Sequence, residues 1–180
     1  MLKVYGIPVG GADRHEAART LLRWKYEEIW QRPMPEIVTA EDGKLSFAEG
    51  PGFFCLAYAG GRAFCALCDS SVGLDVERIH SVGADVARQI LTPEEWNRYS
   101  ASKDPAVEFL QIRTLKEAYL KWSGQGRCDD PRRLSFDQPG EHPVLRGRED
   151  LRFWSKQVGD YVISLCSDQW HRPEFYWEEL

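Results

Sequence analysis

Positive charge is in deficit: 23 Lys and Arg against 28 Asp and Glu leave a formal charge of −5. That excludes a nucleic-acid binder working through overall basicity. A phosphate-rich ligand would have to be gripped by local groups of Lys and Arg or through a metal ion. No apolar run approaches the ~20 residues of a membrane span. The opening MLKVYGIPVGGADRHEA lacks the basic-then-apolar profile of a signal peptide, so a cytoplasmic location is expected. The five cysteines, Cys55, Cys65, Cys68, Cys128 and Cys166, are odd in number and form no framework pattern, which predicts reduced thiols. The C-x-x-C at 65–68 has no second pair to complete a zinc site and reads as two small core residues. His15, His80, His142 and His171 show no ligand spacing and read as surface residues.

What is present suits a globular protein: 180 residues, 43% of them apolar, are enough to bury a core in one domain or two small halves. KVYGIPV reads as a strand and ADRHEAARTLLRWKYEEIW as a helix, with Ala17, Leu21, Trp24 and Ile29 along one face. Gly43-Lys44 reads as a turn, Gly60-Gly61 as the turn of a hairpin, and residues 72–77 as a strand. Then TPEEW offers Thr92 as N-cap, Pro93 at the first helical position and Glu95 for a capping box. A further helix runs from Asp104-Pro105 to Trp122, with its stop at Ser123-Gly124. Residues 124–149 read as a surface loop, 151–167 as a hairpin turning at Val158-Gly159-Asp160, and EFYWEEL as a last strand. Helix followed by hairpin occurs twice. The expectation is therefore an α+β protein with an internal pseudo-repeat, in two halves, 1–90 and 91–180, of one compact unit.

Two stretches carry chemistry. In SSVGLDVERIH, Asp75 and Glu77 are two apart on a strand and so share a face. In RTLKEAYLK, Arg113, Glu117 and Lys121 recur every fourth residue and form one polar stripe of a helix. Alone, each reads first as a solvated surface. Together, three carboxylates with Lys116 and Lys121 make the inventory for a polyphosphate held through Mg²⁺.

VGLDVERI and RTLKEAYLKWSGQG, in this order and thirty-odd residues apart, resemble the two signature motifs of the 4′-phosphopantetheinyl transferase superfamily, in its longer, surfactin-synthetase-activating type. The resemblance implies an α+β pseudodimer of two similar helix-plus-antiparallel-sheet halves, with the active site in the cleft between them. It also implies transfer of phosphopantetheine from coenzyme A to a serine of an acyl or peptidyl carrier protein, an acidic helical domain, with release of adenosine 3′,5′-bisphosphate. Asp75, Glu77 and Glu117 are then the expected Mg²⁺ ligands, Lys121 meets the pyrophosphate, and Glu117 helps deprotonate the serine. Lys44 is expected at the 3′-phosphate, with Arg19, Tyr58, Arg113 and Lys116 as further coenzyme A contacts. Departures are also visible: Ala57, Tyr58 and Ala59 stand where the family has Ser-His-Ser, Leu45 replaces a proline, and Arg113 stands where Trp is common. Arg113 either supplies the lost positive charge or pairs with Glu117 one turn away. The alternative to an enzyme is a family member that binds coenzyme A or a carrier protein without turnover. Since an internally duplicated chain contains its own cleft, a monomer is expected.

Overall fold

Side-chain alternation and two tight turns set the framework of this computed structural model, which describes residues 1–180 except 12, 42, 127, 138, 139, 179 and 180. The expected first helix, the Asp-Gly-Lys turn, the loop over 124–149 and the terminal strand each include residues outside that set. Strand β1 (Leu2–Pro8) leads into helix α1 (Arg14–Trp30), where the Asp13 side chain caps the first turn by accepting from the His15 N–H. A small hairpin, β2 (Ile37–Thr39) and β3 (Leu45–Phe47), follows; its three-residue strands are too short for periodicity to reveal. Strands β4 (Phe53–Ala59) and β5 (Arg62–Cys68) close around Gly60-Gly61. Both glycines have positive φ, +53° and +76°, as a two-residue hairpin turn of this hand requires. Strand β6 (Val72–Arg78) precedes α2 (Ala84–Ile90), α3 (Pro93–Ala101) and α4 (Pro105–Ser123). The loop over 124–149 contains a short 3-10 turn and a two-residue hairpin, β7 (Phe136–Asp137) with β8 (Val144–Leu145). A second large hairpin, β9 (Arg152–Val158) and β10 (Tyr161–Ser167), and β11 (Glu174–Trp177) complete the order.

The α+β pseudodimer emerges as topology. Strand, helix and hairpin recur as β1–α1–β4–β5 and as β6–α4–β9–β10, giving sheet orders β1-β5-β4 and β6-β10-β9. The halves exchange strands: β6 follows β5 in sequence but pairs with β10, and β11 follows β10 but pairs with β1. The β1–β11 pair is parallel, the one departure from antiparallel pairing among the described strands.

Alternation then sorts the core into layers. On β5, Phe64, Ala66 and Cys68 face the second sheet, while Ala63, Cys65 and Leu67 face α1. Covered on both sides, β5 reads as a continuous apolar run. Cys65 and Cys68 therefore point to opposite faces and cannot act as a pair. On β6, Val72, Leu74 and Val76 enter the layer between the sheets, which turns Gly73, Asp75 and Glu77 toward α4. The buried stripe of α1 runs through Ala18, Leu21, Leu22 and Lys25. Trp24, expected in the core, lies about 100° around the helix from the middle of that stripe and is 46% exposed.

The capping box at Thr92 and Glu95 forms as the sequence predicts, and it reaches into the core. Glu95 is fully buried: Oε1 accepts from the Phe136 N–H (2.9 Å), and Oε2 accepts from the Thr92 N–H (2.9 Å) and from Lys116 Nζ (2.6 Å). Lys116 also donates to the Ile90 carbonyl (2.7 Å). One buried ion pair thus ties α3, α4 and β7 together. Removing one partner strands the other in the core, so Lys116→Met is expected to lower unfolding free energy by about 3–5 kcal/mol. Urea titration of the variant checks this; a loss below about 1 kcal/mol would show that Glu95 finds another partner.

Candidate active site

The close approach of β6 and α4 begins at Gly73. A Cβ built there would lie 2.0 Å from the Ala118 carbonyl oxygen and 2.7 Å from the Trp122 nitrogen, so the helix backbone rests directly on the strand. Two and four residues further on, Asp75 and Glu77 meet the polar stripe of α4 as ladder rungs. Lys121 Nζ donates to Asp75 Oδ1 (2.8 Å) and to the Leu74 carbonyl (3.0 Å). The Arg113 guanidinium reaches Glu77 Oε1 (3.3 Å). Arg113 therefore pairs across to the strand, and not with Glu117 along its own helix.

Electrostatics mark the place. Burial pushes the Asp75, Glu77 and Glu117 carboxyls above their ordinary range. For Glu117 the next cause is repulsion from Asp75. Lys121 opposes the rise at all three positions without cancelling it. Burial works against the charge on Lys121 itself, but Asp75, Cys55 and Glu117 together outweigh it and the ammonium is held more strongly protonated than usual.

A cavity of about 330 Å³ opens beside this ladder, with Lys44 and Lys121 in its wall and His15 and Tyr58 on the α1 side. Lys44 comes from the β2–β3 turn and donates to Ser71 Oγ (3.2 Å) and to the Trp122 carbonyl at the end of α4. The cavity therefore holds two ammonium groups contributed by distant parts of the chain. The Arg14 guanidinium lies over the Tyr58 ring at 5.5 Å and His15 meets its edge at 4.9 Å.

Of the sequence-predicted residues, Asp75, Glu77, Arg113, Glu117 and Lys121 come together between β6 and α4, and Lys44 and Tyr58 join them at the cavity. Arg19 is exposed on α1 and does not line the cavity; it is near enough to influence the Tyr58 hydroxyl. Lys116 is a correction. It is 2% exposed and bound to Glu95 on another side of α4, so it cannot reach a ligand in this cavity. Ala57 is buried between the sheets and Ala59 packs against the same layer, so from that triplet only Tyr58 faces the cavity. His15, Arg14 and Cys55 were missed. The signal for His15 was its place two residues past the Asp13 cap, at the end of α1 nearest β4.

The donor set suits a hard divalent cation: three carboxylates, all destabilised by burial, with Glu77 and Glu117 also raised by neighbouring carboxylates. In their present positions Asp75 and Glu77 are held by Lys121 and Arg113. A cation there would take oxygens now satisfied by side-chain charges.

Comparison with known proteins bears on the family. The 4'-phosphopantetheinyl transferase superfamily profile matches residues 71–166. The chain is 29% identical over 120 residues to 4'-phosphopantetheinyl transferase gsp of Aneurinibacillus migulanus, covering 63% of this chain and 51% of that protein. It is 25% identical over 91 residues to 4'-phosphopantetheinyl transferase Sfp of Bacillus subtilis strain 168, covering 49% and 41%. The chain thus spans about half the length of the curated relatives it matches. The crystal structure of Thermotoga maritima holo-[acyl-carrier-protein] synthase is similar over 54% of this chain and 61% of that one, at 22% identity and a TM-score of 0.47.

Proposed function

The chain belongs to the 4′-phosphopantetheinyl transferase superfamily, and from that premise we propose that it moves phosphopantetheine from coenzyme A to a serine of an acyl or peptidyl carrier protein. The observation that carries this reading is the meeting of β6 and α4, where Lys121 bonds Asp75, lies close to Glu117 and itself lines a cavity that also holds Lys44, with Glu77 on the same strand face. In the proposed reaction the serine oxygen attacks the β-phosphorus, the phosphorus–oxygen bond to adenosine 3′,5′-bisphosphate breaks, and the serine proton leaves to a base. Glu117 is the proposed base, a carboxylate that accepts the serine proton as the new bond forms. Lys121 is assigned to the pyrophosphate oxygens and Lys44 to the 3′-phosphate, where fixed ammonium groups offset charge that grows as the bond breaks. Asp75, Glu77 and Glu117 would hold Mg²⁺, which would neutralise phosphate charge there. Arg113 and Tyr58 are assigned to orienting Glu77 and the coenzyme, respectively.

Incubating an apo carrier protein with coenzyme A, Mg²⁺ and this chain tests the reading. Intact-mass spectrometry should show one phosphopantetheine added per carrier. No addition on any of several carriers at high enzyme concentration would sink it. The second reading, a binder without turnover, draws on the pairing of Asp75 with Lys121 and of Glu77 with Arg113. Coenzyme A binding by calorimetry without transfer would favour it. The chain is further proposed to act as a cytoplasmic monomer.

A pH prediction accompanies both readings. Carboxyls raised in the fold bind more protons than in the unfolded chain, so the metal-free protein loses stability as pH rises through those values. Glu117→Gln removes one such group, so its urea midpoint is expected to fall less steeply above about pH 4. A parallel fall in variant and parent would show that Glu117 titrates as if exposed.

A further inference from the structure

Cys68 closes β5 and His171 lies in the segment between β10 and β11, about one hundred residues away in sequence, yet the two meet. His171 Nε2 is 3.2 Å from Asp69 Oδ1 and 3.0 Å from Ser70 Oγ. Cys68 Sγ is 3.8 Å from that same Asp69 Oδ1 and 3.5 Å from Ser70 Oγ. Among the described residues, Cys68, Asp69 and His171 form the one cluster of this kind whose three ligand atoms all lie within 4.8 Å of one another. Asp69 Oδ2 accepts from the Met1 amino group (2.6 Å), which leaves Oδ1 for the cluster. The same amino group stands 3.2 Å from His171 Nδ1. Behind the cluster, buried Ser70 and Ser167 hydroxyls bond at 3.0 Å.

These separations fit a tetrahedral metal. Bond lengths of roughly 2.3 Å to sulfur and 2.0 Å to nitrogen and oxygen put tetrahedral nitrogen–oxygen edges near ~3.3 Å and sulfur–oxygen edges near ~3.5 Å. The observed edges are within a few tenths of an ångström of both. A thiolate, an imidazole and a carboxylate suit a borderline-soft cation, and disfavour Mg²⁺ or Ca²⁺, which take oxygen ligands. We propose that Cys68, Asp69 and His171 bind a zinc ion, with Ser70 or a water in the fourth position. The ion is structural: it fastens the segment that carries β11 to the end of β5, and so fixes the strand that the second half lends to the first sheet. It lies apart from the Asp75–Glu117 ladder and does not depend on the transferase reading.

Chelator-treated protein titrated with Co²⁺ provides the test. A thiolate-to-cobalt charge-transfer band should reach its limit at one equivalent, and Zn²⁺ should abolish it. The band should be lost in Cys68→Ser and in His171→Gln and kept in Asp75→Asn. Zn²⁺ at a hundredfold excess over its Kd should raise the Tm of the parent by about 5–10 °C and leave His171→Gln unmoved. His171 lies outside the helices and strands, in the segment between β10 and β11, so its variant stays informative if Cys68→Ser proves unstable. A missing band, or one that survives His171→Gln, overturns the proposal; a band lost in Asp75→Asn would place the metal elsewhere and overturn it too.

Discussion

Asp75→Asn is expected to cut carrier modification on the order of 10³-fold while the protein remains folded. The size of the effect follows from place and charge. Asp75 sits on the β6 face turned to α4, two residues beyond the contact at Gly73, and it holds Lys121 at 2.8 Å. On the proposed reading, replacing its carboxylate removes one proposed Mg²⁺ ligand and the partner that holds the Lys121 ammonium. Either loss reduces stabilisation of charge that develops only during phosphoryl transfer, a contribution worth ~10²–10³-fold for a single well-placed group.

Stability should move little, because the same carboxylate is poorly tolerated by the free fold. Burial pushes its pKa upward in spite of Lys121, so neutral asparagine relieves a desolvation penalty as it gives up an ion pair. Lys121 keeps its bond to the Leu74 carbonyl and a third of its side chain in solvent. The expected Tm change is within about 3 °C. Mass spectrometry of the carrier and a melting curve read the two quantities separately. Transfer within tenfold of the parent would remove Asp75 from the reaction. Transfer lost together with a large drop in Tm would assign it a structural role.

Much of this geometry was legible beforehand, and the rest was unreadable for definable reasons. Spacing placed Asp75 with Glu77, and Arg113 with Glu117 and Lys121, because strand and helix periods fix those faces locally. The same arithmetic disposes of Lys116: a helix turning about 100° per residue carries it about 140° around from Lys121. The sequence pattern contained that correction, whereas the identity of its partner, Glu95, did not follow from it. Glu95 looked complete as a capping-box residue, and nothing local shows that a cap will be buried against a helix twenty-one residues on. The exchange of β6 and β11 between halves was also beyond local reading, since edge pairing depends on which sheet offers a free strand edge. Cys68 reads as a core residue and is buried as one, but its meeting with His171 lies beyond sequence spacing for the same reason, because the chain ends of two different sheets supply the two residues.

Gly73→Ala should have the largest structural effect of any methyl-sized change near the site. The added Cβ would stand 2.0 Å from the Ala118 carbonyl oxygen, 2.7 Å from the Trp122 nitrogen and 2.9 Å from the Trp122 Cβ. The two closest obstacles are backbone atoms in the middle and last turn of α4, so no rotamer change clears them. Strand and helix must separate, opening the layer where Thr114 Oγ1 meets Ser164 Oγ at 2.7 Å and where α4 packs on β10. Overpacking of a tight interior costs about 1–3 kcal/mol and more where backbone must move, so a loss of about 3 kcal/mol or more is expected by urea titration. Gly11→Ala is the matched control: nothing lies within 4 Å of a Cβ there, and its stability should change by less than about 0.5 kcal/mol. Activity should fall further than stability explains. Asp75 and Glu77 ride on the strand while Glu117 and Lys121 ride on the helix, so a shift of about 1 Å between the two misaligns all four at once, worth roughly 10²-fold in rate. A Gly73→Ala protein that unfolds within about 1 kcal/mol of the parent would mean that α4 can retreat freely. The close contact would then have no part in holding the carboxylates of β6 against the lysine of α4.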